Sequence, residues 1–398
     1  NSKLKASTKL NFQALGDSVD SNVIKQSDVM QHVPKVDKDR AIENLSALLE
    51  DKKKQELAAW VNDRFREMKS AREPYEQQWY LNLAMYNGQH YVSPVRINGQ
   101  GFRLRPTQAP AHRVRLVVNK IRTAAITEHS KMCQNKPIPV VVPSTGEKED
   151  FVASNVAEQI LKNEFATKTF DETYRTWVWW GVITGNSYMK SYWDKNATDT
   201  DRSPVGKNGT IAKEVKGKIR TEALAPFFIY VPDLMVEDID KQPYVMHAMT
   251  RSPEYIERAF GFKPVCDSFS SDTIIDSKFL ARGTQRILDS VLVKEMWIKP
   301  NGHKDFPEGG LVTVINDRVE QYLPYWPWPF KEYPFYKYSG IRTGGFYGDS
   351  IIVDLIPLNK EYNRTKSQSM EIKNAMGKPK LLYQEGSLTP RKITSETG

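Results

Sequence analysis

The chain has 398 residues, 39% hydrophobic and 26% charged, with 57 Lys and Arg against 48 Asp and Glu for a formal charge of +9. No run of about 18 apolar residues occurs and the amino-terminal segment is polar throughout, so neither a membrane span nor a secretory signal is expected. Cys133 and Cys266 are far apart and unmatched to histidines, and read as reduced structural thiols of a cytosolic product. The positive charge permits a polyanion partner without demanding one.

In chain order, residues 1–38 lack periodicity and read as an extended or disordered arm. Helical spacing begins near Arg40 and continues through Leu57, Trp60, Val61, Phe65 and Met68. Pro74 reads as the first residue of a second helix carrying Tyr75, Trp79, Leu83 and Tyr86, stopped by Asn87-Gly88. Residues 88–110 read as loop, with Gly99, Gly101 and scattered prolines. A basic helix is expected over about 117–134, within a stretch (102–136) holding eight Lys or Arg against the single Glu128. A solvated helix face is the plain reading of that run. Pro137 and Pro139 close it before a strand-like VVV.

An amphipathic helix with Val152, Val156, Ile160, Leu161 and Phe165 then leads to an aromatic helix holding Trp177, Val178, Trp179 and Trp180. Those tryptophans read as core or subunit interface rather than a base-stacking platform. Gly185-Asn186 turns into SYMKSYWDK, which alternates as a strand does. Residues 194–218 read as a charged hairpin tip, with strands resuming over 218–230. Ser252-Pro253-Glu254 is a helix start and Gly261 its stop. Two strands are expected, over 286–298 and 311–322, forming a small β module. YLPYWPWPFKEYPFYKY packs four prolines and nine aromatics, and reads as an extended connection because proline excludes helix and central strand.

The last element carries the most information. Gly344, Gly345 and Gly348 loosen the backbone, Asp349 is the expected N-cap, and Gly377 followed by Pro379 ends a helix over 349–376. Its first half is apolar (Ile351, Ile352, Leu355, Ile356, Leu358). From 359 to 380 there are six basic residues against two acidic ones. Lys360, Arg364, Ser367, Glu371 and Asn374 fall on one helical stripe, and Lys366 and Lys373 on another. A helix that exchanges its core face for a cationic, hydroxyl-rich one is expected to face something wet and anionic.

Catalytic motifs are absent. Gly181 and Gly185 have phosphate-loop spacing, but Asn186 stands where that loop needs lysine. The six histidines, His32, His90, His112, His129, His247 and His303, show no metal spacing. Asp199 with Asp201, and Glu237 with Asp238 and Asp240, could serve a metal-dependent enzyme acting on nucleic acid, but solvated turns account for them as well. No catalytic residue, metal or cofactor is expected.

Several segments resemble the portal proteins of tailed bacteriophages: the break at Asn87-Gly88, NKIRTAAITEHSKMCQNKPIPVVVP, TWVWWGVITGNSYMKSYWD, PFFIYVPDLMVEDID, MTRSPEYIERAFG and FYGDSIIVDLIPLNKEYNRTKS. They cover roughly residues 40–390 in the family's order of parts. The resemblance implies an α+β portal fold: arm 1–38, helix-rich wing 39–250, first stem element 251–285, β clip 286–323, aromatic connector 324–348, and second stem helix 349–376. Residues 377–398 would return to the wing, with the crown absent from this chain. Pro357 would kink or restart the stem helix.

The resemblance further implies a homo-oligomeric ring, typically of about twelve copies, at one capsid vertex of the virion, assembled in the host cytoplasm. Double-stranded DNA would be packaged and ejected through it without sequence preference. The channel wall would be lined by Lys360, Arg364, Lys366, Ser367, Glu371, Lys373, Asn374, Lys378 and Lys380. The clip would dock the terminase large subunit and a head–tail adaptor through Trp297, Lys299, His303, Val314, Arg318 and Tyr322, while the major capsid protein surrounds the ring. A minor capsid or adaptor protein that does not bind DNA is the structural rival.

Overall fold

The computed structural model of the chain describes residues 46, 50–97, 101–108, 110, 113–136, 139–199, 215–264, 291–327, 331–377 and 384. The arm expected over 1–38, most of the first stem element, Asp201, Cys266, Lys378 and Lys380 lie outside these. The described residues mix helices with antiparallel strands, an α+β arrangement. None of the helices is long and apolar enough to cross a membrane. Residues 139–167 belong to one compact unit and the other described residues to a second.

In the first unit, Asp150 organises the start of α3 (Lys148–Phe165). Its carboxylate accepts from the Thr145 hydroxyl, from the Ser144 hydroxyl at 3.1 Å and from the Thr145 amide at 3.1 Å, which lowers its pKa. Val152, Val156 and Ile160 are exposed along one side of this helix, and the expected VVV strand is absent, with Val140 and Val142 also exposed.

The second unit is organised by α1 (Asp51–Tyr86), a single 36-residue helix with Pro74 inside it. The expected restart at Pro74 does not occur. Arg72 lies on the apolar stripe that runs from Val61 through Phe65 and Met68 to Trp79 and Leu83, and it is 1% exposed. Its Nε reaches Glu76 at 2.7 Å, one turn on and past the proline. Its remaining donors reach Glu76 at 2.5 Å and the carbonyls of Pro226, Phe227 and Ile229 at 3.1, 3.0 and 2.7 Å. All five N–H groups of the guanidinium are satisfied, so the helix is tied to the sheet on both sides of the proline. Trp79 and Tyr80 pack on Phe227 with ring centroids 5.2 and 4.9 Å apart, burying the same junction.

Residues 88–110 are not all loop. They hold a hairpin of β1 (Val92–Ile97) and β2 (Gly101–Pro106). The overlooked signal is Asn98-Gly99 between alternating residues, a strong hairpin marker. Next come α2 (Lys120–Gln134) and α4 (Lys168–Thr184), then β3 (Asn186–Asp199) and β4 (Val215–Leu224). The turn between α4 and β3 falls at Gly185, with φ 79°, where a Cβ would lie 2.4 Å from the Asp349 backbone.

Strands β5 (Ile229–Tyr230), β6 (Tyr244–Arg251), β7 (Val291–Ile298), β8 (Gly310–Ile315) and β9 (Arg318–Leu323) form one antiparallel sheet in that order. The strands expected to form a separate module therefore continue a sheet begun by β5 and β6. Residues 311–322 are two strands, not one, because Asn316 and Asp317 turn with φ of 47° and 62°. Both residues accept the left-handed region that a tight hairpin needs. Helix α5 (Pro253–Phe260) is as expected, with Ser252 accepting from the Tyr255 amide and Gly261 left-handed. The aromatic connector ends in β10 (Phe335–Ser339), an edge strand beside β3 that starts directly after Pro334.

Candidate functional site

Helix α6 (Ile351–Gly377) runs unbroken through Pro357. Its start is pinned to the end of α4. The Ser350 hydroxyl, rather than the expected Asp349, accepts from the Ile352 amide at 3.1 Å and donates to the Val182 carbonyl at 2.5 Å. Asp349 instead pairs its backbone with Ile341. The Asn186 side chain bonds both backbone groups of Gly348, at 2.7 and 2.9 Å. Ile352 and Ile356 then enter the core.

Beyond Ile356 the buried stripe continues with polar residues. The Asn359, Asn363, Ser367 and Glu371 side chains accept from the amides of Lys120, Val118, Leu116 and Val114 at 3.0, 2.9, 3.0 and 3.1 Å. Four residues of α-helix advance about 6 Å, and two residues of extended chain advance about 6.6 Å. Residues 114–119 are thus held extended, antiparallel to α6, as if the helix offered a sheet edge. This is why α2 starts at Lys120 and not at Val117. Asn119 caps α2, accepting from the Arg122 amide at 2.9 Å, and donates to the Met85 and Tyr86 carbonyls at the end of α1 at 3.2 and 3.0 Å.

The ladder sets the faces of α6. Ser367 is 7% exposed and Glu371 half-buried, both turned inward onto backbone amides. Lys360 and Arg364 are exposed on one flank of the ladder, and Lys366 and Lys373 on the other. Asn374 lies past the ladder's end and is exposed. The side opposite the ladder is neutral apart from Glu361: Leu358, Tyr362, Thr365, Ser369, Ile372 and Met376 are all exposed there and alternate at spacings of four and three. The cations stand beside the outermost stripe, not on it.

On the Lys360 flank a cavity of about 670 Å³ opens between α6, residues 113–115 and the β1–β2 hairpin. Arg113, Arg115, Lys360 and Arg364 line it, against the one carboxylate of Glu371. Arg115 lies 4.8 Å from the Tyr91 ring and donates to the Gln108 carbonyl at 2.9 Å and to that of Thr107. His90 lies at the inner wall, 4% exposed, its Nδ1 accepting from Asn359 and Asn363 at 2.8 and 3.3 Å. Burial, helped by the Lys360 charge, holds this ring below the ordinary histidine range.

The residues expected to dock partners are mostly turned inward. Trp297 and Val314 are 6% and 1% exposed, because β7 and β8 are interior strands of the sheet. Lys299 is 3.5 Å from Asp240, His303 packs on Trp60 at 4.3 Å, and Tyr322 on Phe306 at 5.4 Å. Arg318 is the exposed one of the six. The acidic turn is similarly committed. Asp238 accepts from the Asp240 amide at 3.0 Å, Asp240 from the Tyr333 amide at 3.1 Å, and Glu237 faces Arg342 at 3.3 Å. Among the described residues no group of three or more His, Cys, Asp or Glu could hold a metal ion.

No protein-family model matches the chain, and no curated protein matches it either.

Proposed function

We propose that this chain is the subunit of a phage portal, a ring through which double-stranded DNA passes into and out of a capsid. The observation that carries the reading is α6. One face is fastened along its length to the body, cations stand on both flanks, and the opposite stripe is neutral with the four–three spacing that suits a neighbouring helix. Repeated about an axis, such a helix gives rings of Lys and Arg whose attraction for phosphate is independent of sequence. The intervening Glu361 and hydroxyl residues keep that attraction weak enough for DNA to slide. The segments that resemble portal proteins add the order of parts, and the motor and adaptor would meet the ring at exposed positions such as Arg318.

Native mass measurement with negative-stain imaging of the full chain tests the reading. The expected result is a closed ring of about twelve copies with a central hole wide enough for duplex DNA. A monomer that cleaves DNA when magnesium is added would overturn it, as would a ring with no opening.

A further inference from the structure

We infer that the cavity beside the ladder is a binding site for a phosphate group, built from Arg113, Arg115, Lys360 and Arg364. The inference stands whether or not the copies surround a bore. Four cations around one concavity repel one another, and neither Arg113 nor Lys360 has an ion-pair partner among the described residues. Glu371, the carboxylate in the lining, is engaged by the Val114 amide at 3.1 Å. Arg364 faces Glu361 at 3.7 Å, so four cations meet two carboxylates and the concavity keeps a net positive field, which concentrates anions.

The lining also suits phosphate rather than a lone carboxylate. Three guanidinium forks and an ammonium can serve several oxygens at once, and Ser93 and Gln368 add neutral donors. The Arg115 guanidinium is held in place by two carbonyls and the Tyr91 ring, and residues 114–120 are fixed by the ladder, so little ordering is lost on binding. A volume of about 670 Å³ is of the size that takes a nucleotide-sized ligand. The phosphate can belong to a nucleic-acid strand or to a free phosphate compound.

Calorimetric titration of the full chain with inorganic pyrophosphate, and with a thymidine oligonucleotide, tests the inference. Pyrophosphate should bind, Arg113→Gln and Lys360→Gln should each weaken it by about tenfold or more, and Lys366→Gln on the other flank should leave it unchanged. Melting curves check that each variant is folded. Competition between oligonucleotide and pyrophosphate would support a strand as the source, and pyrophosphate binding alone a free compound. Equal loss in Lys366→Gln would overturn the site in favour of diffuse charge. So would no binding at millimolar pyrophosphate, or tighter binding of a poly-glutamate peptide. All three results leave the ring reading intact, since that depends on the image and not on this titration.

Discussion

Arg72 and Arg113 are the same side chain placed in opposite circumstances. Arg72 is sealed between α1 and the 226–229 turn, its guanidinium 3.6 Å from the Tyr230 ring and every donor assigned. Burial alone would disfavour its charge, but Tyr230, Glu76 and Tyr347 more than offset that and raise its pKa above the ordinary value. Arg113 stands exposed at a cavity, among like charges and without an ion-pair partner among the described residues. A cation whose donors are all engaged holds the fold, whereas one with donors to spare is available to a ligand. Between them, the ladder of α6 shows polar side chains that hold structure while forming the floor of a site.

The contrast is broken most directly at Arg72. Arg72→Met leaves Glu76 without its partner and takes donors from the carbonyls of Pro226, Phe227 and Ile229, and is expected to cost about 3–5 kcal/mol. Arg72→Lys should fare little better, because a point charge cannot replace a planar fork with five donors. Denaturant titration followed by tryptophan fluorescence measures both. A loss under about 1 kcal/mol would mean that the buried pair behaves as a surface one.

Asn363→Ala is the next largest. It removes the acceptor for the Val118 amide and a donor to His90. The expected cost is about 1–3 kcal/mol, with faster hydrogen exchange at Val118 and Leu116 than at Ile183 in the core. Unchanged exchange at those amides would show that residues 114–119 stay extended without the ladder.

The elements that were legible in the sequence are those whose signals are local. Ser252-Pro253 and Gly261 bracket α5, and Gly185-Asn186 marks the end of α4, because caps and left-handed turns depend on neighbours in sequence. The ladder was not legible. Asn359, Asn363 and Ser367 at four-residue spacing read as a wet face, since spacing alone does not say whether water or a backbone amide answers a polar group. Their alignment with Ile352 and Ile356 was the available hint. Arg72 likewise interrupts an apolar stripe in plain view, but its carbonyl partners lie more than 150 residues away. The cationic cavity draws on residues near 91, 113 and 364 that only the fold brings together.

Acid probes the buried histidines on both sides of the comparison. Burial first, then the Lys190 charge, keeps His247 below the ordinary histidine range, as burial does for His90. The unfolded chain then binds more protons than the folded one, so stability is complete above about pH 6.5 and falls as pH drops through it. Glu295 extends the loss. Burial would raise its pKa, but Lys190 at 2.6 Å and His247 hold it well below the carboxylate range. Its contribution is present above its unfolded value of about 4.5 and declines beneath it. Melting temperature should therefore decline in two stages from neutral pH downward, and His247→Gln should flatten the first.

The smallest expected effect is the most discriminating. Arg113→Gln removes a charge that satisfies no ion pair among the described residues, so stability should move by no more than about 0.5 kcal/mol. The direction should be upward at low salt, because Arg115, Lys360 and Arg364 lose a like-charged neighbour. Raising the salt to about 1 M shortens the screening length to about 3 Å, and the difference between variant and parent should then vanish. Arg72→Met, by contrast, should keep its full penalty at every salt concentration, since its interactions are short and sealed from ions. Melting curves of both variants across a salt series measure this directly. If Arg113→Gln destabilises the chain at high salt, that guanidinium is structural too, and the distinction between a committed and an available cation does not hold here.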